Sequence, residues 1–482
     1  MRLIDSRPAA AGNRVPAPIQ IDDLLTATSG RLLAPTSVTG VRAAAIDSRR
    51  ITPGCVFVAM RGAHDDGHRY VSEAVAAGAA AALVERPVTL APGQDAAVVL
   101  VTDPLVALQD LAAWWRSRHA VSVVAVTGST GKTLAKETIA DVLSRTRRVL
   151  RNEGNLNSET GLPMSVLQLE QVHEVAVLEM GMYAVGEIAR LAEIARPDVG
   201  VVLAVHPTHL ERTGSLERIA QAKSELPRAL PADGLAVLNA DDPRVAAMAA
   251  VTPAPVRTFG LSDTADVRAS EIAALGIRGT AFSLVTPWGR RAVRSCAPGR
   301  HLVPHALAAA AVAERYDVPL DEVAIALETG SSAPHRMSLR EAAGGATLVD
   351  DTYNASPVSM IAALDTLAET SVVRGRRLAV LGDMLELGPD EAALHRRVGA
   401  HAAEILDALL TVGERGRWIA EGARAAGLRH VTEVADPTEA LAAVERHLAP
   451  GPGDLLLLKA SRGVELDHLA DALAPAKSEP GR

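Results

Sequence analysis

The stretch VSVVAVTGSTGKT, residues 121–133, determines how the centre of this chain folds. Its first half is a continuous β-branched and apolar run, and a helical pattern begins at Lys132, so it predicts a strand, a glycine loop and a helix. Glycines allow the backbone to wrap around a phosphate, and the following helix directs its positive end at the same anion. The predicted phosphate-binding residues are Gly128, Ser129, Thr130 and Gly131.

Two side chains at the start of the helix fit a nucleoside triphosphate. Lys132 is placed to reach the β- and γ-phosphates, and the Thr133 hydroxyl is placed to bind Mg²⁺. The general phosphate-loop motif would require glycine at position 126, where this chain has Val126. The loop is therefore a variant of that motif, and it still predicts nucleotide triphosphate binding.

The same strand-and-helix pattern continues along the chain and then restarts. Apolar runs predict strands near residues 175–179, 199–204 and 235–239, and, from about residue 331, near 347–350, 377–381, 409–412 and 455–458. Alternating strands and helices indicate an α/β fold with mostly parallel sheets covered on both faces. A chain of this length is expected to form about three domains. We predict a small α/β N-terminal domain at 1–118, a central domain with a phosphate loop at 119–332 and a Rossmann-like C-terminal domain at 333–482.

Composition excludes several classes of protein. The 482 residues carry a net charge of −8, and this mild acidity argues against a nucleic-acid-binding protein. The apolar content of 48% is enough to bury sizeable cores. Neither a long uncharged apolar run nor a secretion signal is visible, so we expect a cytoplasmic protein without stable membrane insertion. The two cysteines, Cys55 and Cys296, do not form a CxxC pair and predict no disulfide framework.

Lysine is scarce, and that scarcity points to candidate site residues. Only five of the 49 basic residues are lysines: Lys132, Lys136, Lys223, Lys459 and Lys477. A surviving lysine indicates a position where a compact ammonium or a reactive amine is needed. The Lys223 amine, once it has reacted with CO₂, would be a carbamate, an anionic oxygen donor for a metal. Glu179, at the end of a predicted strand, is a candidate Mg²⁺ ligand.

Several collinear segments together resemble the Mur ligase family, the ATP-dependent amide ligases of peptidoglycan synthesis. The resemblance covers nearly the whole chain. It rests on Asp47-Ser48-Arg49, on the loop 127–133, on Asn155-Leu156-Asn157, and on segments around Glu179, His209, Lys223, Gly299, Asp350, Gly382 and Lys459. The family's loop also lacks the first glycine, which accounts for Val126. The segment DDTYNASP, residues 350–357, is similar to the family member that adds D-Ala-D-Ala.

This resemblance implies an activity and a set of partners. It implies that ATP and Mg²⁺ activate the carboxylate of UDP-N-acetylmuramoyl-tripeptide as an acyl phosphate, which D-Ala-D-Ala then attacks, in a monomeric enzyme. It implies catalysis by Lys132, Glu179, His209 and Lys223. It also implies one Mg²⁺ held by Thr133 and Glu179, and a second Mg²⁺ held by His209 and the carbamoylated Lys223. For nucleotide contacts it implies Asn239, His305, Arg336, Asp351 and Asn354, and for the peptide and UDP-sugar substrates Ser48, Arg49, Asn155, Asn157, Lys459 and Arg462.

Some positions depart from the family pattern. The segment 204–209 reads AVHPTH and loses an Asn and a Gly, and the segment 299–306 reads GRHLVPHA and loses both asparagines associated with the nucleotide base. We therefore expect altered adenine contacts, with His305 replacing an amide, and ATP still preferred over GTP. Two alternatives remain open: a sibling ligase that adds another amino acid, and a nucleotide-binding relative that has lost turnover.

Overall fold

The computed structural model describes residues 19–62, 65–206, 214–330, 335–372 and 374–475. Within these ranges the chain divides into two compact units. The first unit contains residues 19–121, 155–174 and 193–195, and the second contains residues 122–154, 175–192 and the described residues from 196 onward.

The first unit contains a two-stranded sheet and a five-stranded sheet. The two-stranded sheet pairs β1 with β3, and the five-stranded sheet has the order β2-β7-β6-β5-β4, parallel except for β2. The strands of the first unit are β1 (Ile19–Gln20), β2 (Arg31–Leu32), β3 (Gly40–Val41), β4 (Ala44–Ala45), β5 (Val56–Val58), β6 (Ala81–Val84) and β7 (Ala97–Leu100).

The second unit contains a nine-stranded sheet and a six-stranded sheet. The first of these has the order β16-β15-β14-β13-β12-β11-β8-β10-β9. Its strands are β8 (Ser122–Thr127), β9 (Val149–Arg151), β10 (Val175–Glu179), β11 (Val199–Val202), β12 (Leu235–Asn239), β13 (Val256–Gly260), β14 (Val267–Ala274), β15 (Thr280–Thr286) and β16 (Gly289–Ser295).

The six-stranded sheet has the order β17-β18-β22-β19-β20-β21 and is parallel apart from β17. Its strands are β17 (Ser338–Glu341), β18 (Thr347–Asp350), β19 (Arg377–Gly382), β20 (Ala408–Val412), β21 (Val431–Val434) and β22 (Leu455–Lys459). Apolar residues bury both faces of this sheet in two separate cores, as expected for a parallel sheet between helices.

The helices connect and cover these strands. In chain order they are α1 (Ile21–Thr28), α2 (Val71–Ala76), α3 (Pro104–Ser117), α4 (Lys132–Leu143), α5 (Gly161–Val166), α6 (Glu187–Ala195), α7 (Leu216–Lys223), α8 (Glu225–Arg228), α9 (Pro243–Ala246), α10 (Val303–Arg315), α11 (Leu320–Thr329), α12 (Pro357–Ala368), α13 (Glu391–Ala403), α14 (Gly416–Ala425), α15 (Ala440–Ala443) and α16 (Leu466–Leu473). No helix in the described ranges combines the length and the apolar character that crossing a membrane requires.

The predicted α/β architecture is confirmed, with one addition. The predicted strands are present, and β8 to β14 form a parallel array. Strands β14, β15 and β16 continue it as an antiparallel meander that the sequence reasoning missed. Alternate residues of β15 are buried, the pattern of a strand with one face on the core, but its sequence TAFSLVT gives no clean alternation, because the buried Thr280 and Thr286 are polar.

The strand order positions the candidate site. Strand β8 lies between β10 and β11, so the chain runs to one side of β8 toward β9 and to the other side toward β12. In open α/β sheets, ligands bind beyond the carboxyl ends of strands at such a switch point. The glycine loop follows β8 directly at this place.

Candidate active site

The loop between β8 and α4 is fixed to the segment that follows β11. The Ser129 N–H donates to the Ala204 carbonyl over 2.8 Å, and the Ser129 hydroxyl donates to the His206 carbonyl over 2.9 Å. Gly131 has φ +77°, a left-handed conformation that favours glycine. The predicted strand, loop and helix are thus confirmed, with α4 beginning at Lys132.

Lys132 folds back over this loop. Its Nζ donates to the Gly128 carbonyl over 3.0 Å. Burial lowers the pKa of Lys132, the Glu179 carboxylate opposes that shift, and the Arg336 guanidinium adds to it. A lysine held between a carboxylate and a guanidinium is placed to meet a strongly anionic group such as a phosphate.

Thr133 and Glu179 meet as predicted. The Thr133 hydroxyl donates to Glu179 Oε2 over 2.6 Å, and Glu179, the last residue of β10, is buried. Hydroxyl and carboxylate oxygens suit Mg²⁺, which commonly uses one or two protein ligands and takes its others from phosphates and water. Among the described residues no group of three or more His, Cys, Asp or Glu side chains is arranged to hold a metal ion. The donor set therefore fits a magnesium ion that arrives with a nucleotide.

Lys223, the last residue of α7, is buried, with 2% of its surface exposed. Burial, followed by the positive charge of Lys132, lowers the pKa of Lys223 well below its ordinary value. The neutral amine is the form that reacts with CO₂, so the environment suits the predicted carbamate. The other predicted ligand in this region, His209, lies outside the described residues.

Arg336 reaches the loop from the C-terminal segment. Its Nη2 donates to the Thr133 hydroxyl over 2.9 Å, and its guanidinium carbon lies 3.9 Å from the centroid of the Tyr353 ring. Arg462 lies 5.9 Å from the centroid of the same ring. Tyr353 therefore makes cation–π contacts with two arginines, one of which, Arg336, reaches the loop. The sequence reasoning did not assign this role to Tyr353.

His305, near the start of α10, lies against Gly131. A Cβ added to Gly131 would overlap Nε2 of His305 and lie 3.0 Å from its Cε1. Burial lowers the pKa of His305 to about 4, so its ring is neutral at neutral pH. Within the described residues, His305 Nδ1 and Arg336 Nε are buried without a hydrogen-bond partner. Two buried polar atoms beside one loop are suited to a bound ligand.

Asp351, Asn354 and Lys459 form one cluster. Lys459 Nζ lies 2.5 Å from Asp351 Oδ2 and donates to the Asn354 carbonyl over 2.9 Å. The Asn354 side chain accepts from the N–H of Ala355. The structure thus brings two predicted nucleotide contacts together with a predicted substrate contact, whereas Arg462 pairs with Asp467 over 2.9 Å.

The remaining predicted residues have local contacts. Asn239, at the end of β12, donates from its side chain to the Leu203 carbonyl over 2.7 Å. In the first unit, the Arg49 guanidinium donates to Asp47 and the Ser48 hydroxyl to Glu73, at 2.9 and 3.3 Å. Also in that unit, the Asn157 N–H donates to the Asn155 carbonyl over 2.7 Å.

A strand–glycine loop–helix unit with Lys132, Thr133 and Glu179 around it defines a phosphate-binding α/β protein. Three family models match the chain: the Mur ligase family catalytic domain at residues 41–116, the Mur ligase middle domain at 126–313, and the Mur ligase glutamate ligase domain at 335–462. The chain therefore belongs to the Mur ligase family, which confirms the predicted resemblance and its three-domain fold.

Named relatives point to one member of that family. The chain is 38% identical over 466 residues to the UDP-N-acetylmuramoyl-tripeptide--D-alanyl-D-alanine ligase of Mycobacterium tuberculosis, covering 89% of this chain and 91% of the relative. It is 36% identical to the protein of the same name from Escherichia coli, with 89% and 92% covered.

Solved structures of MurF proteins are similar as well. A crystal structure of MurF from Acinetobacter baumannii has a TM-score of 0.83 at 32% identity, covering 95% of this chain and 99% of that one. A MurF ligase from Thermotoga maritima, solved in complex with ADP, has a TM-score of 0.77 at 28% identity, with 90% and 97% covered.

Proposed function

We propose that this chain is an ATP-dependent amide ligase that joins D-Ala-D-Ala to UDP-N-acetylmuramoyl-tripeptide through an acyl phosphate. The observation that carries the proposal is the meeting of Lys132, Thr133 and Arg336 at the end of β8. The named relatives, whose alignments cover about nine-tenths of this chain, support the choice of substrates.

Two negative groups must approach each other in this reaction. A carboxylate oxygen of the tripeptide attacks the γ-phosphorus of ATP, ADP leaves, and the product is an acyl phosphate. The amine of D-Ala-D-Ala then attacks the acyl carbon, phosphate leaves, and the amine loses a proton as the amide forms. Lys132 and Arg336 would offset the repulsion between the carboxylate and the triphosphate, because fixed positive charges in a buried site act strongly on developing charge.

Thr133 and Glu179 would hold the Mg²⁺ that accompanies ATP, and when bound this ion would supply positive charge to the phosphate oxygens. A second Mg²⁺ is proposed at Lys223 and His209, where it would supply positive charge to the carboxylate that approaches the γ-phosphate. The neutral amine of Lys223 would attack the carbon of CO₂ and lose a proton, which leaves an anionic carbamate. Burial and the nearby Lys132 charge favour the neutral amine that this step needs. His209 is proposed to act beside it.

ATP recognition is proposed to involve residues from several segments of the second unit. His305, with a neutral ring against Gly131, would replace a family asparagine, because neutral imidazole can donate or accept a hydrogen bond. Arg336 and the nearby Asp351 and Asn354 would contact the nucleotide, with Asn239 as a further contact. ATP is expected to be used in preference to GTP, and equal turnover of both would contradict this assignment.

The substrate contacts, the domain boundaries, the oligomeric state and the location in the cell are also proposed. Lys459 and Arg462 would position D-Ala-D-Ala or the tripeptide, with Asn155 and Asn157 also contacting substrate. Ser48 and Arg49 would bind the UDP-sugar. We place the domain boundaries at 1–118, 119–332 and 333–482, in a monomeric enzyme of the cytoplasm, where ATP is made.

Phosphate release tests the activity directly. The purified chain, supplied with ATP and Mg²⁺, should release phosphate only when both UDP-N-acetylmuramoyl-tripeptide and D-Ala-D-Ala are present. Release with another amino acid in place of D-Ala-D-Ala would favour a sibling ligase. Nucleotide binding without release under any of these conditions would indicate a relative that has lost turnover.

A further inference from the structure

A fully buried lysine lies behind the phosphate loop. Lys136 is on the same face of α4 as Thr133, three residues later, and none of its surface is exposed. Its Nζ donates to the Asn152 carbonyl over 2.5 Å and lies 2.7 Å from Glu137 Oε1. A buried ammonium is costly unless it is paired and hydrogen-bonded, and this one is both.

The charges around Lys136 are balanced. Arg151 contacts Glu137 over 2.6 Å and Asp141 over 2.8 Å, so two cations and two carboxylates alternate along this side of α4. Beyond these ion pairs, Lys136 holds the backbone of Asn152, immediately after β9, through its hydrogen bond to the Asn152 carbonyl. A guanidinium is larger and planar, which explains why an arginine-rich chain retains lysine in a site without exposed surface.

Asn152 extends the contact to β10. The β9–β10 ladder ends at the pair of Arg151 with Val177, so the Glu179 N–H lies beyond the last strand pair on that side. The buried Asn152 side chain accepts from this N–H through its Oδ1 over 2.9 Å. The Glu179 carboxylate in turn accepts from the Thr133 hydroxyl, so the contacts return to α4 one turn before Lys136.

We propose that Lys136 and Asn152 are positioning residues that hold the Glu179 carboxylate at Thr133 and thereby set the affinity of the site for the divalent cation that accompanies the nucleotide. The inference rests on the proposed function, because it assumes that Thr133 and Glu179 bind that cation. Lys136 acts on the backbone of residue 152, and Asn152 acts on the backbone of residue 179. Neither side chain needs to touch the cation or the nucleotide.

Cation binding, measured apart from turnover, tests the inference. Mn²⁺ is titrated into the full chain with a non-hydrolysable ATP analogue and followed by electron paramagnetic resonance, and binding of the analogue alone is measured in EDTA. Lys136→Met and Asn152→Ala are expected to raise the Kd of Mn²⁺ by about 10- to 100-fold, the usual effect of losing a residue that orients a metal ligand. Affinity for the analogue in EDTA should stay near the wild-type value, because the contacts of the loop itself remain.

Asp141→Asn is the matched control. It disturbs the same charge cluster at its far end, where Asp141 contacts Arg151, without touching the Asn152–Glu179 contact. The thermal midpoint of each variant is recorded, and Asp141→Asn should lower it while leaving the Kd of Mn²⁺ near the wild-type value. If Lys136→Met does not fold, Asn152→Ala, which keeps the carbonyl for Lys136, decides the question.

Three results would overturn the inference: an unchanged Kd of Mn²⁺ in folded Asn152→Ala, an equal loss of Mn²⁺ and of metal-free analogue binding, or the same Mn²⁺ loss in Asp141→Asn. If the wild-type chain binds neither Mn²⁺ nor the analogue, the proposed function itself fails. That outcome differs from a wild-type chain that binds both while the variants bind equally well.

Discussion

A methyl group at Gly131 tests whether His305 forms one wall of the nucleotide loop. In Gly131→Ala, the added Cβ would be placed on a backbone with φ +77° and would overlap Nε2 of His305. Two separate costs follow, one from the left-handed backbone and one from the imidazole. The loop can escape both by leaving its present conformation, which nucleotide binding must then restore.

The two costs have different sizes and different partners. A left-handed conformation costs a residue with a Cβ roughly 1–2 kcal/mol, and overpacking a filled site costs about 1–3 kcal/mol. Since about 1.4 kcal/mol is a factor of ten in Kd, backbone strain alone should weaken ATP binding by about 5- to 30-fold. With the imidazole in place, the combined effect should be about 30-fold or more.

A double-mutant cycle separates the two costs. The Kd of a fluorescent ATP analogue is measured for wild type, Gly131→Ala, His305→Ala and the double variant. In the His305→Ala background the overlap is gone, so adding Gly131→Ala should cost only the backbone strain. Gly93→Ala is the control for general destabilisation, because Gly93 has φ +83° with no atom near an added Cβ, and its Kd should match wild type.

The outcome that refutes the reasoning is a coupling of zero. If Gly131→Ala raises the Kd by the same factor with and without the His305 ring, the imidazole does not pack against the loop. His305 would then lose its assignment as a nucleotide contact. A shifted Kd in Gly93→Ala would show that the assay reports general destabilisation instead of loop geometry.

Three further predictions follow from the same site. Lys223→Ala should nearly abolish phosphate release at saturating substrates, and a small carboxylic acid should restore part of it. Lys223→Arg should also be inactive, because guanidinium forms no stable carbamate. Full activity in either variant would exclude Lys223 as a carbamoylated metal ligand. Arg336→Met should lower kcat/KM for ATP by about 10- to 100-fold, because it removes a charged hydrogen bond to Thr133. An unchanged kcat/KM in steady-state assays would argue against Arg336 as a nucleotide contact. Folding lowers the pKa of His305 from 6.5 to about 4. Between pH 6.5 and pH 4 the imidazole is therefore protonated in the unfolded chain but neutral in the folded one. The contribution of His305 to stability falls as the pH drops through this range. His305→Asn should therefore flatten that part of the plot of thermal midpoint against pH, and two parallel plots would contradict the shift.

Local pattern was enough to identify Thr133 and Glu179 as candidate ligands of one Mg²⁺. Glu179 ends an apolar run, Thr133 follows a glycine loop, and the carboxyl ends of parallel strands share one edge of a sheet. The structure shows Glu179 paired with Val126 on β8, two residues before the loop begins. The structure adds that the two side chains are hydrogen-bonded to each other, a contact that depends on a strand register the sequence did not provide.

Contacts between distant segments left no comparable signal. Arg336 lies about 200 residues from Thr133 in the chain, and no periodicity connects the two positions. Only the resemblance to a family suggested Arg336, and nothing suggested that Tyr353 would hold its guanidinium. Asn152 is one of only six asparagines in the chain, but no motif assigned it a role, because that role depends on where the β9–β10 ladder ends.

The sheet also explains why the loop lacks the first glycine of the general motif. Val126 is fully buried and pairs with Glu179 on one side and with Val201 on the other, so it belongs to a central strand. Glycine there would weaken the strand, whereas a β-branched residue packs well on a sheet buried on both faces. Strand β8 therefore continues to Thr127, whose hydroxyl donates to the Met180 carbonyl over 2.9 Å, and the phosphate loop is confined to residues 128–131. This register brings Glu179 level with the start of the loop, and a longer loop that began at residue 126 would remove the strand pair that positions it.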